Sequence, residues 1–509
     1  MKNITVQCFK LALQHCFGSK GAPTKIAVGL SGGPDSMLLV WLLQKYKAYM
    51  PHNDLEIHAI TIDHNYRSNS DIEAKQISQW MNQWNVNHII HKLQYSVDPT
   101  TIANFEEVAR TKRYEAIRSV CNTLGISTVV LGHHCDDQVE TFVQRLQGNS
   151  SIFGLACTRR FSNIPLSRDL SPSEQTNLAS VMLVRPLLGF EKKAILSTCQ
   201  SNNIPYVVDP TNNDTKLTRR NYLRYLFGKA LPQMLDSCYS QLNQGDGGVV
   251  NHPSVRYKSI AKDELVKSQQ ECADFAQKFE LKAHRLHHQL VQQRWYLEFP
   301  AMGLLKLQLP KHCLGGYNKI ITSKFLYQKL YPYSTLNHYH WAYAKLERGL
   351  LPKLEQVAKC SRSGVTKLSC MNLIFEVTNN AHASQMEIKI FRTPLTRKEL
   401  KLCFLNVHVN EHWSQWHLFD KRFWLRFSTL HGEATCVVKP YFHKFDYPIV
   451  RKYLKENGSI IIDQRLDTLP ALFQDGEIVA FPTLNIGIEN IQCEWALKAN
   501  KYDFISQPV

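Results

Sequence analysis

The stretch that decides the fold is Ala27-Val28-Gly29-Leu30-Ser31-Gly32-Gly33-Pro34-Asp35-Ser36, and an apolar segment follows it directly. A β-prone run ends in Ser-Gly-Gly and a helical pattern begins within a few residues, which predicts a strand, a tight loop and a helix. Two adjacent glycines let backbone N–H groups approach a ligand closely, and the helix adds the positive end of its dipole. The stretch therefore predicts a site for phosphate or pyrophosphate.

We call Ser31–Ser36 the glycine loop. It differs from an ordinary P-loop because no Gly-Lys-Ser/Thr follows the glycines. Asp35 stands where that motif has a cation, and a carboxylate beside phosphates predicts a bound Mg²⁺. The loop resembles the Ser-Gly-Gly-x-Asp-Ser loop of the N-type ATP pyrophosphatases, a resemblance that implies cleavage of ATP between its α and β phosphates.

Charge and cysteine usage narrow the class of protein. The chain has 509 residues and a net charge of +17, and residues 251–509 carry 35 Lys+Arg against 23 Asp+Glu. A length of this order predicts two or three domains, and the basic second half favours a nucleic-acid partner over a merely soluble surface. Fourteen cysteines without any Cys-x-x-Cys argue against paired-thiol metal sites and favour a reducing compartment. No apolar run is long enough to predict a membrane span.

The first 34 residues contain four lysines and no acidic residue. This pattern fits a mitochondrial presequence, although it lacks arginine, and it fits equally an ordinary N-terminal helix that packs on the sheet. The cysteine- and asparagine-rich composition favours the mitochondrial matrix as the location, with the cytoplasm as the alternative.

Strand and helix patterns alternate through the first 230 residues, which predicts a parallel α/β sheet. Ligands of such sheets bind beyond the carboxyl ends of the strands, and the polar clusters at residues 31–36, 63–67 and 132–140 fall there. Residues 157–180 are predicted to be a loop or an insertion. A long helix is predicted from about residue 261 to 294.

The second polar cluster is Gly132-His133-His134-Cys135-Asp136-Asp137-Gln138-Val139-Glu140-Thr141. It places two carboxylates at a helix start and a third one turn later. Helix capping explains one aspartate, but three acids exceed what a cap needs. These residues, which we call the acidic trio (Asp136, Asp137 and Glu140), are predicted to hold Mg²⁺ or the ammonium of an amino substrate.

The third cluster is Phe105-Glu106-Glu107-Val108-Ala109-Arg110-Thr111-Lys112-Arg113-Tyr114, in which Glu107, Arg110 and Tyr114 fall along one helical face. A solvent-exposed ladder of ion pairs is one interpretation. The other is that Arg110 and Arg113 hold phosphate or offset charge during adenylyl transfer, for which arginine is well suited.

The three clusters occur in order with Asp63-His64-Asn65-Tyr66-Arg67, Arg185-Pro186-Leu187-Leu188, Asp209-Pro210-Thr211-Asn212 and Arg220-Asn221-x-x-Arg224. Together they resemble the tRNA(Ile)-lysidine synthetases across residues 25–230. Weaker similarity reaches the C-terminus through Phe419-Asp420-x-Arg422-Phe423 and Asp475-Gly476-Glu477, whereas residues 245–400 match poorly.

The resemblance implies a two-step reaction. ATP adenylates the carbon-2 oxygen of the wobble cytidine in a tRNA(Ile) with a CAU anticodon, and the ε-amino group of L-lysine then displaces AMP to give lysidine. The implied roles are pyrophosphate and ATP binding by the glycine loop, ATP contact by His133, Mg²⁺ binding by Asp35 and lysine binding by the acidic trio. Asp35, Arg110, Arg113 and Asp137 are the predicted catalytic residues. Arg220, Asn221 and Arg224 are assigned a structural or tRNA-facing role.

The predicted architecture is a Rossmann-like catalytic domain over residues 1–240, a linker over 241–254, a mainly helical tRNA-binding domain over 255–394 and an α+β tRNA-binding domain over 395–509. The resemblance allows a homodimer. Two alternatives remain open: another tRNA-modifying enzyme of the same superfamily, such as a thiouridine synthetase with Cys135 as its thiol, and a catalytically inactive tRNA-binding protein.

Overall fold

The computed structural model describes residues 3–18, 21–49, 55–65, 70–102, 104–165, 169–177, 181–208, 218–231, 233–234, 254–448, 451, 466–487 and 490–501. The chain forms two compact units. The first comprises Met1–Ser167, Leu178–Ala276 and Ile505–Val509, and the second comprises Arg168–Asn177 and Gln277–Phe504. The domain boundaries proposed from the sequence stay predictions.

The first unit alternates helices and strands as the sequence predicts. Its elements are α1 (Val6–Phe17), β1 (Lys25–Gly29), α2 (Pro34–Tyr49), β2 (Glu56–Asp63), α3 (Ser70–Gln83), β3 (Asn87–Lys92), α4 (Phe105–Leu124), β4 (Thr128–Val130), α5 (Cys135–Gln147), α6 (Ile152–Leu155), β5 (Phe161–Asn163), β6 (Met182–Val184), α8 (Lys192–Ser201) and α9 (Arg219–Tyr225); α7 (Pro172–Asn177) belongs to the second unit, and α10 (Ser254–Gln292) contains the boundary between the units.

The sheet of the first unit has the strand order β3-β2-β1-β4-β6-β5. Its first five strands are parallel, and β5 pairs antiparallel with β6. The chain proceeds from β1 to β2 and β3 on one side and returns to β4 on the other. The order therefore reverses between β1 and β4, and the crevice at such a reversal is where open α/β sheets bind ligands. The parallel Rossmann-like fold is confirmed.

Apolar helices cover both faces of this sheet. One core joins α1, α2 and α8 to the strands, and a second packs α4 against the opposite face. Phe9 and Leu13 of α1 are buried in the first core, and the Ile4 N–H donates to Thr198 Oγ1 at 2.9 Å. The described part of the N-terminal stretch thus forms a helix that packs on the sheet, as one of the two interpretations of this stretch predicted. The compartment stays a prediction.

The described residues of the second unit form three antiparallel sheets with the orders β7-β8-β11-β10-β9, β12-β15-β16-β17 and β13-β14-β18. The five-stranded sheet lies within residues 255–394, for which the sequence predicted mainly helix. The elements are β7 (Tyr296–Phe299), β8 (Leu304–Pro310), α11 (Asn318–Lys329), α12 (Ala342–Lys345), α13 (Leu351–Lys359), β9 (Gly364–Cys370), β10 (Leu373–Asn379), β11 (Gln385–Arg392), α14 (Arg397–Leu402), β12 (Leu405–Val409), β13 (His417–Phe419), β14 (Phe423–Thr429), β15 (Ala434–Pro440), β16 (Pro470–Gln474), β17 (Glu477–Ala480) and β18 (Ile491–Leu497).

The segment 157–180, predicted as a loop or an insertion, contains β5 and α7. Within the part of the chain that the structure covers, no helix has both the length and the apolar character that a membrane crossing requires.

Candidate active site

The glycine loop closes on itself through the Ser36 side chain. The Ser31 N–H donates to Ser36 Oγ at 3.2 Å, and Ser36 Oγ donates to the Gly33 carbonyl oxygen at 3.1 Å. Gly32 has a φ of +77°, in the left-handed region that favours glycine. The loop therefore has a fixed turn at the N-terminus of α2, where unpaired N–H groups attract an anion.

Two glycines permit close packing around this loop. A Cβ on Gly32 would lie 2.4 Å from Ile77 Cδ1, so α3 packs directly against the turn. A Cβ on Gly132 would lie 3.0 Å from the backbone carbon of Asp35. The loop after β4 thus touches the first turn of α2, which brings the acidic trio next to the glycine loop.

Asp35 is held by a cation that the sequence did not predict. The Lys192 Nζ lies 2.6 Å from Asp35 Oδ1 and 2.8 Å from Oδ2, at the start of α8. Lys192 thus contacts both oxygens of the carboxylate that was predicted to bind Mg²⁺. Among the described residues, no group of three or more His, Cys, Asp and Glu side chains could hold a metal ion. Asp35 fits Mg²⁺ only as a single carboxylate ligand that shares the ion with phosphate oxygens, an arrangement common for this metal.

The acidic trio is also compensated by cations of the same unit. Arg220 donates from Nη2 to Asp137 Oδ1 at 2.5 Å and from Nε to Glu140 Oε2 at 2.6 Å. Arg224 Nε donates to Glu140 Oε1 at 2.8 Å. The sequence assigned these arginines a structural or tRNA-facing role, and the structure gives both a direct contact with the trio.

Asp136 has different partners. Its Oδ2 accepts from the Lys192 backbone N–H at 2.8 Å, and its Oδ1 accepts from Lys262 Nζ at 2.8 Å. Burial alone would raise the pKa of Asp136, but the hydrogen bonds from Lys262 and Lys192 outweigh it and hold the pKa below its usual value. Asp136 is therefore ionised at neutral pH.

His134 lies between the glycine loop and the trio. Its backbone N–H donates to Asp137 Oδ2 at 2.9 Å, which caps α5. Its Nε2 lies 3.6 Å from Asp35 Oδ1 and 3.6 Å from Asp137 Oδ2. One imidazole thus faces carboxylates from both predicted halves of the site. Burial would raise the pKa of Asp137, but the charges of His134 and Arg220 lower it overall.

His133 and His64 stay neutral at physiological pH. Burial lowers the pKa of His133 to about 4, with the charge of Asp137 opposing the shift. Burial, with the charge of Arg113, lowers the pKa of His64 to about 4. A neutral imidazole offers one donor and one acceptor, so His133 has the chemistry needed for a nucleotide contact without adding charge.

Arginines of α4 and the β6 end form a cationic region near these histidines. The Arg110 and Arg113 guanidinium carbons lie 5.0 and 5.4 Å from the Tyr114 ring centroid. Arg185 is buried, and its Nη1 donates to the Arg159 carbonyl oxygen at 2.9 Å and to Ser162 Oγ at 3.1 Å. The predicted charge-offsetting arginines therefore lie on the helix that flanks the carboxyl edge of the sheet.

Several buried polar atoms at this edge have no hydrogen-bond partner among the described residues: His64 Nδ1, His133 Nδ1, His134 Nδ1 and Arg185 Nε. Such atoms are costly unless something pairs with them. Their concentration beyond β2, β4 and β6 indicates that this edge is built for a polar ligand.

Part of the chain matches a known family of domains. Residues 7–231 match the family model of the PP-loop domain. This part of the chain is a PP-loop domain. A PP-loop domain implies ATP binding, which supports the predicted ATP site.

The resemblance of the chain to tRNA(Ile)-lysidine synthases is confirmed. The probable tRNA(Ile)-lysidine synthase of Schizosaccharomyces pombe is 22% identical over 475 residues, which are 92% of this chain and 92% of that protein. The tRNA(Ile)-lysidine synthase of Thermotoga maritima is 31% identical over 219 residues, 42% of this chain and 48% of that protein. The match thus spans about half the length of the bacterial relative. Among solved structures, the U34-tRNA thiolase NcsA of Methanococcus maripaludis gives a TM-score of 0.36 at 14% identity, over 53% of this chain and 80% of that chain, too low for inference.

Some predicted parts of the PP-loop domain lie outside the described residues: Tyr66, Arg67 and the Asp209-Pro210-Thr211-Asn212 element. The sequence also missed two lysines of the site. Lys192 stands 157 residues from Asp35, and Lys262 stands 126 residues from Asp136. Lys192 carries one local signal, since it closely follows the Arg185-Pro186-Leu187-Leu188 element, whereas nothing in the sequence marks Lys262.

Proposed function

We propose that the chain ligates L-lysine to carbon 2 of the wobble cytidine in a tRNA(Ile) with a CAU anticodon, at the expense of ATP. The observation that carries the proposal is the contact between the glycine loop and the acidic trio. His134 lies 3.6 Å from carboxylates of both, and Gly132 packs against the backbone of Asp35. In this proposal, the activating site for ATP and the receiving site for the amine lie in one crevice of the PP-loop domain.

The proposed reaction has two balanced steps. The carbon-2 oxygen of the cytidine attacks the α phosphorus of ATP, and the bond to the β-phosphate oxygen breaks, so that pyrophosphate leaves. The lysine ε-ammonium loses one proton to solvent, and the resulting amine attacks carbon 2. The adduct loses a second proton to solvent as the carbon–oxygen bond breaks. AMP leaves with the oxygen that was originally on the base.

The residues of the glycine loop and of α4 suit the first step. Backbone N–H groups of Gly32 and Gly33 at the start of α2 bind pyrophosphate oxygens, and Asp35 holds the Mg²⁺. Mg²⁺ supplies charge neutralisation to the phosphates when bound. Arg110 and Arg113 offset the negative charge that accumulates on the adenylate, and His133 contacts ATP.

Within the acidic trio, the contacts favour Asp136 as the direct receiver of the lysine ammonium. The Glu140 and Asp137 side chains are only 5% and 13% exposed, and both are held by arginine. Asp136 is 29% exposed and has lysine as its side-chain partner. In this proposal Asp137 and Glu140 position α9 and α5, and they shape the field around the amine.

The target cytidine must leave its stack to reach this crevice, as bases of single-stranded loops do. The basic second half, with 35 Lys+Arg against 23 Asp+Glu, offers a surface for the rest of the tRNA. Binding of tRNA should therefore weaken steeply with added salt.

The state of Cys135 disfavours the thiouridine-synthetase alternative. Burial raises the pKa of the Cys135 thiol to about 11, with the charge of Asp136 adding to the effect. A thiol of this kind stays protonated and is a poor nucleophile. Replacing Cys135 with Ser should therefore leave lysidine formation intact, and loss of the product would favour sulfur chemistry.

The experiment that tests the proposal is product analysis. The chain is incubated with ATP, L-lysine and a CAU-anticodon tRNA(Ile), and the nucleosides are analysed by mass spectrometry. We expect lysidine with the wild-type chain and none with Asp35→Ala. A wild-type chain that binds the tRNA but forms neither lysidine nor pyrophosphate would favour the inactive-binder alternative.

A further inference from the structure

The side chain of Lys262 contacts the acidic trio from outside the matched PP-loop region. Lys262 lies on α10, and its Nζ is 2.8 Å from Asp136 Oδ1 and 3.2 Å from Glu191 Oε2. Its contact with Asp136 is that of a primary ammonium on a four-carbon stem, the same group that the proposed substrate presents. The carboxylate proposed to receive the substrate ammonium therefore contacts a lysine side chain of the chain itself.

This contact is easier to exchange than the arginine contacts of the trio. Arg220 contacts two carboxylates with a planar fork, whereas Lys262 contacts Asp136 through a compact ammonium on a flexible chain. The Lys262 and Asp136 side chains are both about a quarter open to solvent, at 25% and 29%. Asp136 keeps its orientation when Lys262 leaves, because its other oxygen accepts from the Lys192 backbone N–H.

Space for the exchange lies beside the contact. A cavity of about 460 Å³ is lined by Glu191, Lys262, Asp263 and Glu271, together with Cys135 next to Asp136. Its volume falls in the range of small-molecule pockets, and its three carboxylates outnumber the ammonium groups of Lys262 and Lys267 that also line it. These carboxylates can accept the Lys262 ammonium once it leaves Asp136, and they can attract the incoming amine.

We propose that Lys262 is a resident competitor for the ammonium site of Asp136, which free lysine must displace before the second step. This inference rests on the proposed function and deepens it. Lys262 neutralises Asp136 while ATP reacts with the base, and it raises the concentration of lysine needed for transfer. A ligand that binds only the open form has its apparent dissociation constant raised as the open fraction falls.

The test compares three variants by their KM for lysine in lysidine formation at saturating ATP and tRNA. Lys262→Met should lower this KM about five- to tenfold, because a competing charge-assisted hydrogen bond is lost. Lys262→Arg should raise it, because a guanidinium holds a carboxylate more firmly than an ammonium does. Lys282→Met removes an exposed charge from the same helix and serves as the matched control.

A second readout separates this role from a structural one. The KM for ATP, measured by tRNA-dependent ATP–pyrophosphate exchange without lysine, should change less than the KM for lysine in each Lys262 variant. If Lys262→Met does not fold, the direction in which Lys262→Arg changes the KM for lysine tests the inference instead. Suppose that the wild-type chain forms lysidine. This inference alone is then overturned if Lys262→Met leaves the KM for lysine unchanged or raises it. It is likewise overturned if Lys262→Arg leaves that KM unchanged or lowers it. A wild-type chain that forms no lysidine overturns the proposed function and this inference with it.

Discussion

The Lys192 ammonium contacts both carboxylate oxygens of Asp35, at 2.6 and 2.8 Å. The pair joins the first turn of α2 to the first turn of α8, so the residue predicted to organise the phosphates is tied to an element 157 residues away. The ammonium lies beside the glycine loop, because Asp35 is part of that loop. A cation at this place stabilises phosphate charge as well as carboxylate charge.

The first prediction concerns this lysine. Lys192→Met should lower kcat/KM for ATP in ATP–pyrophosphate exchange about tenfold to a hundredfold, which corresponds to about 1.5–3 kcal/mol for a hydrogen bond to a charged group. Lys193→Met removes the neighbouring exposed lysine and should stay near the wild-type value. Equal losses in the two variants would mean that only the general charge of α8 matters.

The second prediction concerns the clamp on the acidic trio. Arg220→Met leaves Asp137 and the buried Glu140 short of a partner and should lower the free energy of unfolding by about 1–3 kcal/mol. Thermal and urea unfolding measure the change, with the exposed Arg219→Met as control. Adding Glu140→Gln removes one of the two carboxylates that Arg220 contacts, so the double variant should lose less than the sum of the single losses. If the two losses of unfolding free energy are strictly additive, Arg220 and Glu140 do not interact as the structure indicates.

The third prediction concerns the turn of the glycine loop. Gly32→Ala should weaken ATP binding at least tenfold and lower stability by about 1–2 kcal/mol, because its φ is +77° and its Cβ would meet Ile77. Isothermal titration with ATP and thermal unfolding measure the two effects. The nearest atom to a Cβ on Gly33 is Ser31 Oγ at 3.6 Å, which is an ordinary contact distance. The free energy of unfolding of Gly33→Ala should therefore lie within about 0.5 kcal/mol of the wild-type value. A Gly33 variant that is equally unstable would refute the geometric explanation.

The fourth prediction concerns pH. Burial lowers the pKa values of His64, His88 and His133 to about 4 each. Between about pH 6.5 and 4 these histidines bind protons in the unfolded chain but stay neutral in the folded chain. Their contribution to the free energy of unfolding therefore falls as the pH falls through this window. His88→Gln should reduce the pH slope of the unfolding free energy by at most about 1.4 kcal/mol per pH unit. A slope near pH 5 that is identical in the variant and the wild type would contradict the buried neutral state of His88.

The assignment of His88 has a structural basis. Thr61 Oγ1 donates to the Leu30 carbonyl oxygen, so it accepts from His88 Nε2 at 2.8 Å, and His88 Nδ1 accepts from Ser78 Oγ at 2.7 Å. The network assigns the neutral Nε2–H tautomer. This network also holds the residue before the glycine loop in place.

Local patterns predicted the first unit well. Strand and helix periodicity alternate there, and the polar clusters fall at strand ends, so the sequence alone assigns residues 31–36 and 132–140 to one edge of the sheet. The contacts of Lys192 and Lys262 could not be predicted in this way, because each joins segments more than a hundred residues apart and neither leaves a local pattern that identifies its partner.

The second unit shows the opposite case. Its five-stranded sheet is built from short antiparallel strands, and β8 and β10 each alternate buried and more exposed residues over only seven positions. The helix pattern of α10 and α11 dominated the sequence interpretation there. Strand pairing depends on register with distant partners, which composition and periodicity do not reveal.

In the proposed reaction ATP activates the base itself, so that the oxygen on carbon 2 leaves with AMP. This route is tested with a tRNA(Ile) carrying ¹⁸O at carbon 2 of its wobble cytidine, incubated with ATP, lysine and the full chain. We predict one ¹⁸O atom in the AMP for each lysidine formed, measured by mass spectrometry. Lysidine formation with unlabelled AMP, or label retained in the tRNA while ATP is consumed, would rule out activation of the base by ATP.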